Sequence, residues 1–171
     1  RKKGFPPKKI LFIKLIEQGA TVLAYSAIKR AVDLVGKENV FFCVFKDNSP
    51  ILEIINIIPK ENIFVIRQNN LITFCGDVIR LLITIRSKGI DSTIDMEFFS
   101  RASALLAYLS GARNRAGLHR FTSELPYRGN LLTHRLSYNP YLHTAKAYYL
   151  LVDALARDPK ETPMMKIPYE N

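Results

Sequence analysis

Short apolar runs alternate with helix-length amphipathic stretches as far as residue 118. The runs are KILFIKL (9–15), NVFFCVF (39–45), NIFVI (62–66), STIDMEF (92–98) and NRAGL (114–118). Short, largely apolar runs rich in β-branched and aromatic residues are typical of strands buried on both faces. Strands that alternate with helices form parallel sheets with right-handed crossovers. We therefore predict an α/β fold with an open, mostly parallel, Rossmann-like sheet and helices on both faces.

The stretches between the runs carry helix signals. Gly36 provides a left-handed stop for the first, Pro50 suits the first turn of the second, and Ser100 can cap a later one. The segment from His119 to Asn139 is rich in turn residues and is predicted to be irregular. Helices are predicted over 27–35, from Pro50 to before Pro59, over 74–88, over 101–110 and over 141–156.

The chain has 171 residues and a formal net charge of +10. This charge favours anionic partners such as nucleic acid, an acidic membrane surface or a phosphorylated substrate. Cys43 and Cys75 lie in apolar segments without metal-type spacing, and we predict buried free thiols. No uncharged apolar run reaches the roughly 18 residues that span a bilayer. We expect a cytoplasmic protein whose contact with the inner membrane face, if any, is peripheral.

Ligands of open parallel sheets bind at the carboxyl ends of the strands, and three segments there are candidate ligand-binding sites. In the first, Ile16 to Thr21, Gly19 either lets the backbone approach an anion or only permits a tight turn. In the second, Asp95 and Glu97 are two residues apart and share a face of a strand. One of them could act as a general base, or pair with Arg101 in a purely structural ion pair.

The third segment, from Arg101 to Lys146, combines many cations with a single acid, Glu124. Arginine binds phosphate and carboxylate oxygens through two parallel hydrogen bonds, so the segment is a candidate anion site, although a solvated basic face would look the same. The histidines lack metal-ligand spacing, and no nucleic-acid-binding motif is present. The basic residues and histidines are Arg101, Arg113, Arg115, His119, Arg120, Arg128, His134, Arg135, His143 and Lys146.

Three segments together resemble the N-terminal half of glycosyltransferase family 9, the heptosyltransferase-like proteins with the two-domain GT-B fold. They are KILFIKLIEQGATVLAYSAIKRA, IDMEFFSRASALLAYLSGARNRAGL and the helix after NPYLHTAKAYYLL. The resemblance covers about residues 8–156. It implies transfer of a sugar from a nucleotide-sugar donor to a glycolipid acceptor of the lipopolysaccharide type, without a metal or other cofactor. The alternative is a non-catalytic module, derived from that fold, that binds an anionic glycan or a partner.

The resemblance also implies roles for individual residues. The family has Gly-Asp where this chain has Gly19-Ala20, so its acceptor-activating aspartate is absent, and Glu17, Asp95 or Glu97 is the candidate replacement. Residues that the resemblance and the basic segment suggest for substrate binding are Gly19, Ala20, Thr21, Arg101, Arg120, Arg128 and His143.

The resemblance further suggests how the chain is divided. Residues 1–7 form a basic leader, 8–156 an acceptor-side domain, and 157–171 a linker towards a C-terminal donor-binding domain that this chain lacks. We therefore expect this chain alone to be inactive. Its expected partners are an anionic sugar or glycolipid acceptor and the donor domain, with no specific nucleic acid.

Overall fold

A computed structural model describes residues 5–98, 100–119 and 128–162 of the chain. It contains a six-stranded sheet in the order β3-β2-β1-β4-β5-β6, in which every neighbouring pair is parallel. This confirms the predicted α/β fold. The strands are β1 (Ile10–Ile13), β2 (Val40–Phe45), β3 (Ile63–Ile66), β4 (Ser92–Asp95), β5 (Asn114–His119) and β6 (His134–Ser137).

Within the described ranges, six α-helices connect or follow the strands. Gly36, at φ 85°, ends α2, and Ser100 caps α5 by accepting a hydrogen bond from the Ser103 N–H, as the sequence predicts. The helices are α1 (Gln18–Leu23), α2 (Tyr25–Val35), α3 (Pro50–Ile55), α4 (Leu71–Ser87), α5 (Arg101–Leu109) and α6 (Thr144–Ala154). One-turn 3-10 helices span Lys37–Asn39, Lys46–Asn48 and Lys60–Asn62.

The sheet is covered on both faces because successive strand residues point to opposite sides. Ile10 and Phe12 of β1 pack in one core with residues of α2, α3 and α6, whereas Leu11 and Ile13 pack in a second core with residues of α4 and α5. All four residues are fully buried. Burial on both faces explains why the β1 run carries no polar alternation.

Three predictions about this fold are wrong. The segment 119–139 contains β6, which adds a sixth parallel strand at the edge beside β5. The stretch predicted as a loop after β1 is already helical from Gln18. Cys75 is exposed on α4, whereas Cys43 is buried as expected.

Candidate functional site

We call the space at the carboxyl ends of β1 and β4 the crevice. The chain proceeds from β1 to its neighbour β2 on one side and from β4 to β5 on the other, so the order reverses between the two strands. Ile13 and Asp95, the last residues of these strands, are in register. In open α/β sheets, ligands bind at the carboxyl ends of the strands where the order reverses. The side chains around this point therefore form the candidate site.

A buried lysine organises the site. Lys14 directly follows β1 and is 1% exposed. Its Nζ lies 3.3 Å from Glu17 Oε2 and 3.3 Å from Glu97 Oε2. The structure thus brings together two of the three predicted carboxylates through a cation that the sequence analysis does not single out. A lysine inside an otherwise apolar strand run was the available signal, because such a charge needs a partner.

Glu97 fixes the loop that follows β1. Its Oε1 accepts hydrogen bonds from the backbone N–H groups of Leu15, at 2.7 Å, and Ile16, at 3.2 Å. The residue is 6% exposed and lies beyond the end of β4. Both carboxylate oxygens have partners inside the protein, so the arrangement makes Glu97 a support for the loop.

Glu17 presents its carboxylate to solvent at the same point. Its side chain is 62% exposed, and its backbone adopts φ 69°, which an L-residue rarely does. This conformation costs about 1–3 kcal/mol, and it marks the turn from β1 into α1. The Glu17 carbonyl accepts hydrogen bonds from the Thr21 N–H and hydroxyl, at 3.2 and 3.3 Å. The exposed carboxylate is therefore held at a defined place beside the crevice.

Asp95 and Arg128 form an ion pair in the interior. Asp95 is fully buried and Arg128 is 3% exposed. Asp95 also accepts hydrogen bonds from the Ser103 hydroxyl, at 2.9 Å, and the Glu97 N–H, at 3.0 Å, while Arg128 donates to the carbonyls of Ser100 and Leu118. Burial raises the pKa of the Asp95 carboxyl to about 6, and Arg128 opposes that rise. The pair ties the segment before α5 to the end of β5.

The residues Gly19, Ala20 and Thr21 belong to the first turns of α1. Gly19 has an ordinary helical backbone, and a Cβ built on it meets nothing within 4 Å. The space beside Gly19 is therefore open, whereas Thr21 is fully buried. The positive φ in this turn occurs two residues before the glycine, at Glu17.

The other predicted contacts lie around the rim of the sheet. Arg101 is exposed at the first position of α5, which places it at the carboxyl edge. His143 is exposed and caps α6, with its Nδ1 accepting a hydrogen bond from the Ala145 N–H at 3.2 Å. Arg120 lies outside the described residues. The roles of these side chains in substrate binding stay predictions.

A buried tyrosine that the sequence analysis missed also borders the site. Tyr148, on α6, is fully buried, and its hydroxyl has no hydrogen-bond partner among the described residues. Burial raises its pKa, and the charges of Glu97, Glu17 and Asp95 raise it further, which places the hydroxyl in the field of these carboxylates. Its ring centroid lies 6.1 Å from that of Phe98. Within the described ranges, no three acidic, histidine or cysteine side chains are grouped to hold a metal ion.

The sequence matches no protein-family model and no curated protein. Its structure is nevertheless similar to solved glycosyltransferases. The family 9 glycosyl transferase from Veillonella parvula DSM 2008 superposes with a TM-score of 0.70 and 15% identity, covering 95% of this chain and 46% of that one. Escherichia coli heptosyltransferase WaaC with ADP-2-deoxy-2-fluoro heptose gives 0.68 and 14%, covering 90% and 50%.

A third structure extends this likeness. The E. coli ADP-heptose LPS heptosyltransferase II superposes with a TM-score of 0.63 and 18% identity, covering 92% of this chain and 44% of that one. The chain spans about half the length of the solved structures that it matches. The resemblance read from the sequence is confirmed at the level of the fold: the chain has the α/β fold of glycosyltransferase family 9 heptosyltransferase structures over about half of their length.

Proposed function

We propose that this chain is the acceptor-binding half of a glycosyltransferase that transfers a sugar from a nucleotide-sugar donor to a glycolipid acceptor of the lipopolysaccharide type. The observation that carries the proposal is the exposed Glu17 carboxylate, fixed beside Lys14 where the strand order reverses. The fold shared with heptosyltransferase structures supports the reaction class. The donor is assigned to a second half of the intact protein.

In this proposal, Glu17 is the general base. One of its oxygens takes the proton of an acceptor hydroxyl, whose oxygen bonds to the anomeric carbon of the donor while the bond from that carbon to the phosphate oxygen breaks. The base must lie within about 3 Å of the hydroxyl, which requires an accessible carboxylate. Asp95 is fully buried and Glu97 is 6% exposed, so Glu17 fits the requirement best among the three.

The chemistry of the surroundings suits an anionic acceptor. Lys14 is buried and already paired with the carboxylates of Glu17 and Glu97, so the attraction for an anion comes from cations outside this cluster. Arg101 is exposed at the carboxyl edge, where its guanidinium can bind a phosphate or carboxylate through two hydrogen bonds. The net charge of +10 would draw such an acceptor towards the protein. No metal or other cofactor is assigned to the reaction.

The substitution Glu17→Gln in the complete gene product tests the proposal. It removes the base and keeps the side-chain shape, so the transfer rate from nucleotide sugar to a lipopolysaccharide-type acceptor should fall by about 10²- to 10⁴-fold. Glu61→Gln, at an exposed carboxylate in a 3-10 helix away from the crevice, is the matched control and should leave the rate unchanged. Unchanged turnover in the Glu17 variant would remove this residue from the mechanism.

A binding module without catalysis is the second candidate, and Ala20 favours it. The family's aspartate follows the glycine, and an alanine at that place cannot accept a proton. A gene product that binds the acceptor but transfers no sugar, with or without the Glu17 substitution, would establish this alternative.

A further inference from the structure

Helix α4 has a second apolar side that faces solvent. Its inner side packs on the sheet through residues such as Leu81 and Ile85. On the opposite side, Ile72, Ile79 and Ile83 are 85, 58 and 61% exposed. Their spacing of seven and four residues places them in one stripe. An isolated exposed isoleucine is ordinary, whereas a stripe along a helix indicates a surface with a partner.

Helix α5 extends this surface. Leu105, Tyr108 and Leu109 are 47, 50 and 41% exposed. The two helices lie side by side, because both contribute to one buried core and the Arg86 guanidinium donates to the Leu109 carbonyl at 2.7 Å. We call the solvent-facing side of these two helices the α4–α5 outer face. Its apolar side chains are Ile72, Ile79, Ile83, Leu105, Tyr108 and Leu109.

The charges of this face have one sign. Arg80 and Arg86 are exposed on α4, and Arg101 is exposed on α5. The sequences of the two helices contain a single acid, Asp77, which is 8% exposed. Its carboxylate is bound by the Arg67 guanidinium at 2.8 and 2.9 Å, so its charge is already neutralised. The face therefore offers apolar side chains among cations, with no exposed carboxylate from either helix.

We propose that the α4–α5 outer face binds the surface of an anionic lipid bilayer. Apolar side chains that enter the boundary between head groups and acyl chains, flanked by arginines that attract anionic head groups, are the two components of such binding. The opposite layer of helices lacks this bias, since Asp33, Asp47 and Glu53 are exposed there beside lysines. The proposed contact lies at the membrane surface. No helix in the described part of the chain could span a membrane.

The location of the face connects it to the crevice. Both helices begin at the carboxyl edge of the sheet, where Ile72 and Arg101 lie in their first turns. A bilayer bound along this face would present a lipid-borne acceptor close to the edge that carries Glu17. In this respect the inference rests on the proposed function and deepens it.

Vesicle sedimentation tests the inference without substrate. The wild-type chain should sediment with vesicles of equal parts phosphatidylglycerol and phosphatidylcholine, and much less with pure phosphatidylcholine. Ile79→Asp and Ile83→Asp should each weaken binding at least about tenfold, because each removes an apolar side chain that enters the bilayer and adds a negative charge that anionic head groups repel. Ile54→Asp is the matched control: Ile54 is 78% exposed on α3, in the opposite layer, and this variant should bind like wild type.

The native cysteine Cys75 provides an independent readout on folded protein. It is exposed on α4 between Ile72 and Ile79. The other of the two cysteines, Cys43, is buried, and burial raises its pKa to about 12. A polarity-sensitive fluorophore on Cys75 should shift to shorter wavelength when anionic vesicles are added. The shift should reverse at high salt, because screening weakens the attraction between the arginines and the anionic head groups.

Three results would overturn the inference. One is binding of the two α4 variants to anionic vesicles at wild-type strength. Another is an equal loss of binding in Ile54→Asp. The third is a stable wild-type dimer that Ile79→Asp dissociates in sedimentation velocity, which would assign the face to a second copy of the chain. Because these assays contain no acceptor and no donor, each of these results leaves the Glu17 transfer experiment as a separate test.

Discussion

At the scale of single residues, the lysine at the switch point has the largest predicted effect on stability. Lys14→Met leaves Glu97 nearly buried without its cation, and removing one partner of a buried pair costs about 3–5 kcal/mol. We expect a loss of about 3 kcal/mol in the free energy of unfolding, measured in urea. The contact with exposed Glu17 contributes little to this figure, because solvent screens it.

Two further variants separate charge from packing at Lys14. Lys14→Met combined with Glu97→Gln should recover part of the loss, since the second change removes the uncompensated charge. Lys29→Met, at an exposed position of α2, should change stability by less than about 0.5 kcal/mol. A Lys14→Met protein as stable as wild type would show that the buried pair is not formed in solution.

The buried hydroxyl of Tyr148 predicts a gain in stability on substitution rather than a loss. Tyr148→Phe removes a buried hydroxyl that has no hydrogen-bond partner among the described residues. We expect the free energy of unfolding to rise by about 1 kcal/mol, because an unsatisfied buried polar group is costly. Thermal and urea unfolding measure this change, with Tyr25→Phe at a half-exposed tyrosine as the control. A loss of more than about 1 kcal/mol would mean that the hydroxyl is hydrogen-bonded.

At the scale of elements, the attachment of α4 to β3 should depend on pH. Arg67, which follows β3, binds Asp77 of α4 through its guanidinium and its backbone N–H, and these contacts lower the pKa of the Asp77 carboxyl. Because this pKa is lower in the folded than in the unfolded chain, the ion pair stabilises the fold above the unfolded value of about 4. That stabilisation is lost progressively as the pH falls below this value and the carboxylate becomes protonated. Wild type should therefore be more stable than Asp77→Asn at pH 7, and the difference should shrink steadily below about pH 4.

The matched control for this pH dependence is Asp33→Asn, at an exposed acid of α2. Its stability should run parallel to that of wild type over the same acid range. A difference between wild type and Asp77→Asn that does not change with pH would mean that the ion pair contributes nothing, and that the substitution acts through packing alone.

Some strands and helices can be predicted from sequence patterns, and others cannot. Buried strands such as β2 carry long apolar runs, so their existence and order are readable. The edge strand β6 has four residues, His134–Ser137, whose burial alternates, and its sequence HRLS gives no apolar run to detect. Helix α1 has six residues and contains Gly19, so neither length nor propensity reveals it.

The site was predictable in part, for a related physical reason. Asp95 and Glu97 are identifiable as carboxylates at a strand end, because strand ends are set by local patterns, whereas Glu17 is suggested by the family resemblance. Which of them is exposed depends on partners distant in sequence: Asp95 binds Arg128, and Glu97 binds the backbone that follows Lys14. Local spacing contains no information about such contacts. Only the fold separates an accessible carboxylate from two buried ones.

At the scale of the whole molecule, three features converge on one edge. The order of the strands reverses beside Glu17, the exposed arginine Arg101 lies at the same edge, and the α4–α5 outer face begins there. This arrangement supports the proposal that the chain holds an acceptor rather than a nucleotide. The crevice offers one accessible carboxylate and nearby cations, while the glycine-rich phosphate-binding sequences of nucleotide sites are absent from its loops.

The proposal that this chain binds the acceptor, and not the nucleotide-sugar donor, predicts which ligands it binds by itself. In calorimetric titrations it should bind a phosphorylated hexose more tightly than a neutral hexose, and added salt should weaken that binding because screening reduces the attraction of a chain with net charge +10. Arg101→Gln should weaken binding of the phosphorylated sugar about tenfold, since a charge-assisted hydrogen bond contributes about 1.5–3 kcal/mol. Lys37→Gln, at an exposed cation beyond α2, should have no effect.

Glu17→Gln should leave the affinity for the phosphorylated hexose unchanged, because a general base acts on the rate of transfer. Tighter binding of a nucleotide sugar than of the phosphorylated hexose would reverse the assignment and make this half the donor domain.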